Sequence, residues 1–325
     1  MLNPPPVPPE FRERVTPLLR EHGFTGDGVI EPVAGGGNNR VYRVQSAGRD
    51  GLLKAYFQNP ADPRDRFGTE RAFYEFLWRN GVRRTPEPLG WDSAERLGLF
   101  TFVSGRKLRA EEVAHEHVGQ ALDFVIELNR GRTEGGARQL PLASEACFSV
   151  AEHLALVERR VARLEQIETS TALEREAAAF VADELKPAWL SISAAILSQL
   201  TADRALDQAQ RCLSPSDFGF HNAIRANDGR LRFLDFEYAG WDDPSKLICD
   251  FFCQPEVPAP ARMFERFART VLSEFPNPEI HLARARLLLP VYRLKWVCIM
   301  LNEFLPVGST RRAFSRKWPP GSQNI

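Results

Sequence analysis

From Val29 to about Val103 the apolar positions come in short β-branched and aromatic runs, such as RVYRV and GLLKAYF, broken by Gly, Pro, Asn and Asp. That texture predicts strands. One stretch departs from it: GTERAFYEFLWRNG places Phe73, Phe76 and Leu77 on a single stripe and runs out at Gly81, the spacing of an amphipathic helix with a C-terminal stop. Strands, a helix and more strands describe a small α+β lobe.

After Gly105 the period lengthens. EEVAHEHVGQALDFVIELN, SVAEHLALVERRVARLEQI and LEREAAAFVADELKPAWLSISAAILSQL are rich in Ala, Leu, Glu and Arg, with apolar residues at helical spacing, so this part is mainly α. Residues 211–243 interrupt the rhythm with a loop, a hairpin-like pair in NAIRANDGRLRFLDF and a second loop. Asn227-Asp228-Gly229 is the turn such a hairpin needs. Helices then resume through IHLARARLLLPVYRLKWVCIMLNEFL. The proline-rich start, MLNPPPVPPEFRERV, predicts an extended lead-in. The chain thus divides into residues 1–28 (lead-in and first helix), 29–103 (a β-rich N-terminal lobe) and 104–325 (a helical C-terminal lobe carrying a loop region at 214–243).

Composition narrows the function classes. With 325 residues and 43% hydrophobic content the chain fills a real core, and its 42 basic and 42 acidic residues cancel. A balanced charge gives no global attraction to nucleic acid or to an anionic membrane surface. The five Cys, at positions 147, 212, 249, 253 and 298, show no paired metal spacing, which points to a reducing compartment. Cys249 and Cys253 stand one helical turn apart, but beside Phe251 and Phe252 they read as core. The start has no signal-peptide pattern, and no uncharged apolar run reaches the roughly eighteen residues that span a bilayer. The expected location is the cytoplasm.

Candidate chemistry sits in both lobes. VAGGGNNRVYRV, residues 33–44, is a Gly-rich turn into a strand; its backbone N–H groups suit either a tight turn or a phosphate. Lys54 lies inside an apolar strand, where a charge needs a partner, and Glu70 opens the following helix. They form either an ion pair that positions nucleotide phosphates or a solvent-facing Lys and a dipole-favoured Glu. In SPSDFGFHNAI (214–224) Asp217 precedes Asn222 by five positions, and LRFLDFEYAGWDDP delivers Asp235 at a strand end. Carboxylate and amide oxygens of this kind suit Mg²⁺, which takes a few protein ligands and completes its shell with phosphates; each residue also has a local use in a turn or at a strand end.

The order of these groups resembles the aminoglycoside phosphotransferase and choline kinase superfamily, small-molecule kinases with a protein-kinase-like two-lobed α+β fold. The resemblance is strongest in D-x-x-x-x-N followed by L-D-F-E-Y-A-G, and runs from about Val29 to Asp250. It implies that Asp217 is the catalytic base for the acceptor hydroxyl and that Asn222 and Asp235 are Mg²⁺ ligands. It also implies that Lys54 binds the phosphates of ATP with Glu70 as its partner, that Gly36, Gly37 and Asn39 form the nucleotide loop, and that Thr101 to Val103 form the adenine-holding hinge.

Two positions depart from the family. Pro215 stands where a loop-bracing His is usual and has no side-chain donor; Leu247 stands where a bracing Asp is frequent, with Asp250 one turn later as a substitute. These departures motivate the rival reading, a catalytically degenerate nucleotide-binding scaffold. A protein kinase is disfavoured because DFE replaces DFG. From His281 to Ile325 the basic residues Arg284, Arg286, Arg293, Lys295, Arg311, Arg312, Arg316 and Lys317 face Glu303 alone, a surplus of seven. Such a surface would repel polycationic aminoglycosides, so a sugar, sugar derivative or amino alcohol is the expected acceptor. Trp241, Phe252, Tyr292 and Trp296 are either core or an aromatic box for a quaternary ammonium. His221 either contacts substrate or packs.

Overall fold

The computed structural model describes residues 7–25, 28–33, 39–46, 48–57, 64–200 and 203–305. The chain forms two compact units, one ending at Ser104 and the next beginning at Gly105.

The first unit opens with helix α1 (Pro9–Glu21), which begins inside the proline-rich run instead of after it. Pro8 is its N-cap and Pro9 its first residue, positions where a missing N–H costs nothing. Five strands follow: β1 (Val29–Pro32), β2 (Arg40–Ser46), β3 (Arg49–Ala55), β4 (Pro88–Asp92) and β5 (Leu97–Thr101). They make an antiparallel sheet in the order β1-β2-β3-β5-β4. Helix α2 (Arg66–Arg79) joins β3 to β4, capped at its start by Asp65 and ending through Asn80 just before Gly81.

The period of two along each strand assigns the faces. Leu53, Leu97 and Leu99 join Phe11, Val15 and Leu18 of α1 in one apolar cluster. On β5, Phe100 packs against Trp91 and against Tyr74 of α2. Lys54, next to Leu53, therefore emerges on the α2 side, where Glu70 waits.

The second unit is helical around two small sheets. After β6 (Gly105–Lys107) come α3 (His115–Arg130), α4 (Val150–Arg163), α5 (Ala172–Phe180) and α6 (Lys186–Gln199). A π-helical turn, Val181–Leu185, joins α5 to α6. It falls where Pro187 has no N–H to give to the carbonyl four residues back. Strands β7 (Cys212–Ser214), β8 (Ala223–Ala226), β9 (Leu231–Phe233) and β10 (Gly240–Asp242) are followed by α7 (Pro244–Cys253), α8 (Phe264–Leu272) and α9 (Pro278–Leu301). Strands β8 and β9 form the expected hairpin. Gly229 closes it at φ 79°, a conformation that a side chain resists. Among the described residues no helix is long and apolar enough to cross a membrane.

Charge is buried in the core of this unit. Lys246 donates to Asp242 at 2.5 Å with both side chains nearly inaccessible, and its second neighbour is Asp250 at 3.5 Å. Burial alone would lower the Lys246 pKa, but Asp242 and Asp250 outweigh it and raise it. Lys246→Met keeps the stem and removes the ammonium that neutralises Asp242. The expected loss of stability is about 3–5 kcal/mol, the usual cost of orphaning a buried charge, read as a lower urea midpoint. An unchanged midpoint would show that the pair holds nothing together.

Candidate active site

The first unit supplies an ion pair. Lys54 Nζ lies 2.6 Å from Glu70 Oε2, and the two residues are 7% and 1% exposed. The solvent-facing alternative for Lys54 is therefore excluded. The same ammonium stands 5.0 Å from the Tyr56 ring, a favourable placement for a desolvated cation. Asn39 is buried, and its Oδ1 accepts the Phe57 N–H at 3.0 Å, tying the start of β2 to the end of β3. Thr101 binds Glu87 twice: its N–H donates to the Glu87 carbonyl and its Oγ1 accepts the Glu87 N–H, both at 2.9 Å. Val103 follows in irregular backbone and is partly exposed. Gly36 and Gly37 lie outside the described residues.

The second unit supplies the carboxylates. Strand β7 is held by Asn129 of α3, whose Oδ1 accepts the Leu213 N–H and whose Nδ2 donates to the Leu213 carbonyl. Just beyond β7, the Asp217 N–H donates to the Pro215 carbonyl at 3.0 Å, and Ser216 between them has φ 68°. This is a three-residue turn with positive φ at its centre, a rare and strained form. Asp235 is also a non-glycine residue at positive φ, 66°. Strain of this kind persists only where surrounding structure enforces it, and it concentrates at functional sites.

Both aspartates are followed by a phenylalanine, and both rings enter one cluster. Phe218 lies 5.7 Å and Phe236 6.0 Å from Phe124 of α3, centroid to centroid. Phe218 also stacks on Phe251 of α7 at 5.1 Å. Asn222 completes the loop: its Nδ2 donates to the Asp217 carbonyl at 3.0 Å and lies 3.3 Å from Asp217 Oδ2. With the amide nitrogen spent on Asp217, the oxygen Oδ1 is the end of this side chain suited to a cation. The Asn222 carbonyl accepts the Leu234 N–H at 2.9 Å, so the backbone links Asn222 to the residue before Asp235.

These groups fit Mg²⁺ in the manner of a site completed by phosphates, with one carboxylate and one amide oxygen. Among the described residues no three His, Cys, Asp or Glu side chains converge as a preformed cage.

Other expectations are corrected. Asp250 does not brace the catalytic loop in place of Leu247. It accepts from Lys295 Nζ at 2.7 and 2.9 Å and from Trp296 Nε1 at 3.0 Å, so it ties α7 to α9. The four aromatics do not form a box. Trp241 donates its indole N–H to the Ala137 carbonyl, Tyr292 bonds His153, and Phe252 packs edge-on against Phe264. Lys295 itself covers the rings of Tyr292 and Trp296 at 5.1 and 5.7 Å. Of the basic residues counted in the last helices, Arg284 pairs with Asp243, Arg286 with Glu265 and Lys295 with Asp250. Arg311, Arg312, Arg316 and Lys317 lie outside the described residues.

The model of the phosphotransferase enzyme family, APH, matches residues 29–286. No curated protein sequence matches significantly. Among solved structures, a choline kinase from Cryptosporidium parvum Iowa II aligns over 93% of this chain and 94% of its own, with TM-score 0.60 and 12% identity. A choline kinase from Streptococcus pneumoniae covers 94% and 96% at TM-score 0.57 and 15% identity. A spectinomycin phosphotransferase solved with ADP and spectinomycin covers 95% and 94% at TM-score 0.59 and 11% identity. At these identities the likeness establishes the fold, a protein-kinase-like two-lobed α+β architecture.

The Ser216 turn yields a test. Ser216→Gly is expected to leave thermal stability unchanged or slightly higher, because Gly adopts positive φ freely. Ser216→Val adds β-branching at that φ and is expected to cost about 1–3 kcal/mol. Equal melting temperatures for the two variants would remove the strained turn from the account.

Proposed function

The chain belongs to the phosphotransferase enzyme family, and from that premise we propose that it transfers the γ-phosphoryl group of ATP, with Mg²⁺, to a hydroxyl of a small molecule. The observation that carries this reading is the Asp217–Asn222 pairing. One side chain presents a partly exposed carboxylate, and the other turns its amide nitrogen inward and so offers an oxygen to a cation. In the reaction the acceptor oxygen bonds to the γ-phosphorus while the bond from that phosphorus to the bridging oxygen breaks and ADP leaves. Asp217 takes the hydroxyl proton, and no covalent enzyme intermediate forms. Mg²⁺, when bound, neutralises phosphate charge; Asn222 and Asp235 would hold it. Lys54, oriented by Glu70, binds the phosphates, Gly36, Gly37 and Asn39 belong to the phosphate loop, and Thr101 to Val103 hold adenine.

The acceptor we propose is a sugar, a sugar derivative or an amino alcohol, not an aminoglycoside. Asp242, Asp243, Asp250 and Glu145 are each neutralised by an internal cation, namely Lys246, Arg284, Lys295 and Arg160. These four carboxylates are therefore not available as counter-charges for a polycation. Expression in a sensitive host should therefore confer no aminoglycoside tolerance. A rise in tolerance that disappears in Asp217→Ala would overturn the assignment.

The two aspartates separate an enzyme from a scaffold. Asp235→Asn should impair both ATP·Mg²⁺ binding and turnover, and Lys54→Ala should weaken ATP·Mg²⁺ binding more than Glu70→Ala does. Asp217→Asn should still bind ATP·Mg²⁺ while transfer falls by about two to four orders of magnitude, the scale of a positioned general base. The measurements are calorimetry for binding and acceptor-dependent ADP release across sugars, sugar phosphates, amino alcohols and aminoglycosides. A wild type that binds ATP, phosphorylates nothing in this screen and matches Asp217→Asn is a scaffold.

A further inference from the structure

We propose that His221 is a positioning residue for Asp217, a hydrogen-bond donor that fixes the rotation of its carboxylate; this rests on the phosphotransferase reading above. His221 Nε2 lies 3.2 Å from Asp217 Oδ1, and the His221 side chain is 11% exposed. On the other side of the ring, Nδ1 is buried and has no hydrogen-bond partner among the described residues.

The chemistry of these two nitrogens sets the tautomer. A carboxylate oxygen only accepts, so the nitrogen facing it carries the proton. A proton on Nδ1 instead would bury a donor without a partner and leave two acceptors facing each other, a double penalty. His221 thus gives its Nε2–H to Oδ1, while Asn222 stands 3.3 Å from Oδ2. Each carboxylate oxygen has one donor from its own loop and keeps one lone-pair site for an acceptor hydroxyl. Pro215, earlier in the loop, has no side-chain donor to offer.

Gly219 seats the ring. A Cβ at that position would stand 2.7 Å from His221 Nδ1, a distance at which something must move. The residue is extended, with φ 176°, so what it lacks is bulk, not conformational freedom. Gly219→Ala therefore displaces the imidazole without removing it, which makes it an independent probe of the same pair.

The test has a kinetic and a spectroscopic arm. With an acceptor found by the ADP-release screen, His221→Leu and Gly219→Ala are each expected to lower kcat by about 10- to 100-fold, the range of coupling between contacting groups. KM for ATP should stay within about twofold, since the pair touches only the carboxylate. His221→Gln restores a donor and should recover most of the loss. In an Asp217→Ala background, His221→Leu should cost nothing further. A loss that persists undiminished in that background, or that Gln does not relieve, assigns His221 to packing and overturns the proposal.

Long-range ¹H–¹⁵N spectra of the His221 imidazole test the pairing without turnover. The proton is expected on Nε2, with its resonance shifted in Asp217→Ala. A proton on Nδ1, or a signal indifferent to Asp217→Ala, overturns the proposal. If the expected signature is present and no acceptor is phosphorylated, the pairing stands and the phosphotransferase reading falls.

Discussion

Phe124, fully buried on α3, carries on its faces the rings of Phe218 and Phe236, the residues that follow Asp217 and Asp235. An aromatic ring in a close-packed core has few places to go, so the neighbour of each aspartate anchors the backbone from which its carboxylate extends. Two polar side chains from separate loops are thereby referenced to a single point on one helix. Phe233 stacks on Phe124 at 4.8 Å and brings the β8–β9 hairpin into the same cluster. A site that must hold a carboxylate within fractions of an ångström gains from such rigidity, because misplacement costs rate steeply.

The second organising constraint is the cost of isolating a charge in the interior. Asp243 shows how it is met. Burial pushes its carboxyl upward, yet the hydrogen bond with His153 and the Arg284 guanidinium outweigh burial and hold the pKa well below the usual carboxylate range. The remaining oxygen caps α7 through the Ser245 N–H at 2.7 Å. One carboxylate thus joins α4, α7 and α9. Asp250 repeats the device with Lys295 and Trp296. Such pairs give up much of their Coulombic gain to desolvation; what the geometry shows is that they link α4, α7 and α9 through buried charges.

The sequence made some of this legible and hid the rest for physical reasons. Strand alternation, the α2 stripe and the Asn227–Gly229 turn are local signals, and the structure follows them. For Lys54 and Glu70 the residues alone left an ion pair and two independent surface charges open; the family resemblance pointed to the pair, and the structure has it. Asp250 could not be assigned in the same way, since three cationic or N–H donors lie within reach of its position and sequence spacing does not rank them. A count along the chain likewise does not show that Arg284, Arg286 and Lys295 meet Asp243, Glu265 and Asp250, which come from other parts of the chain. Helix α1 starts at Pro9, a position that Pro suits, and Phe11 and Val15 then join the apolar cluster of the sheet. The repeated Asp-Phe pair, in SDF and LDF, was visible but carries no meaning until Phe124 is known to lie beneath both rings.

The hydrogen bonds of the 217–222 loop divide labour between groups that look interchangeable in sequence. Asn222 has a donor end and an acceptor end, and the Asp217 carbonyl claims the donor. Had the amide been turned the other way, two oxygens would face each other inside the loop and the outward group would repel a cation. The same logic applies to His221, whose ring orientation is fixed because one nitrogen meets a carboxylate and the other meets Gly219. The turn at Ser216 folds the Asp217 N–H back onto Pro215, and the Asp217 carbonyl accepts from Asn222. The defined orientation of these two side chains, more than the presence of any single residue, distinguishes this loop from an ordinary surface turn of the same composition.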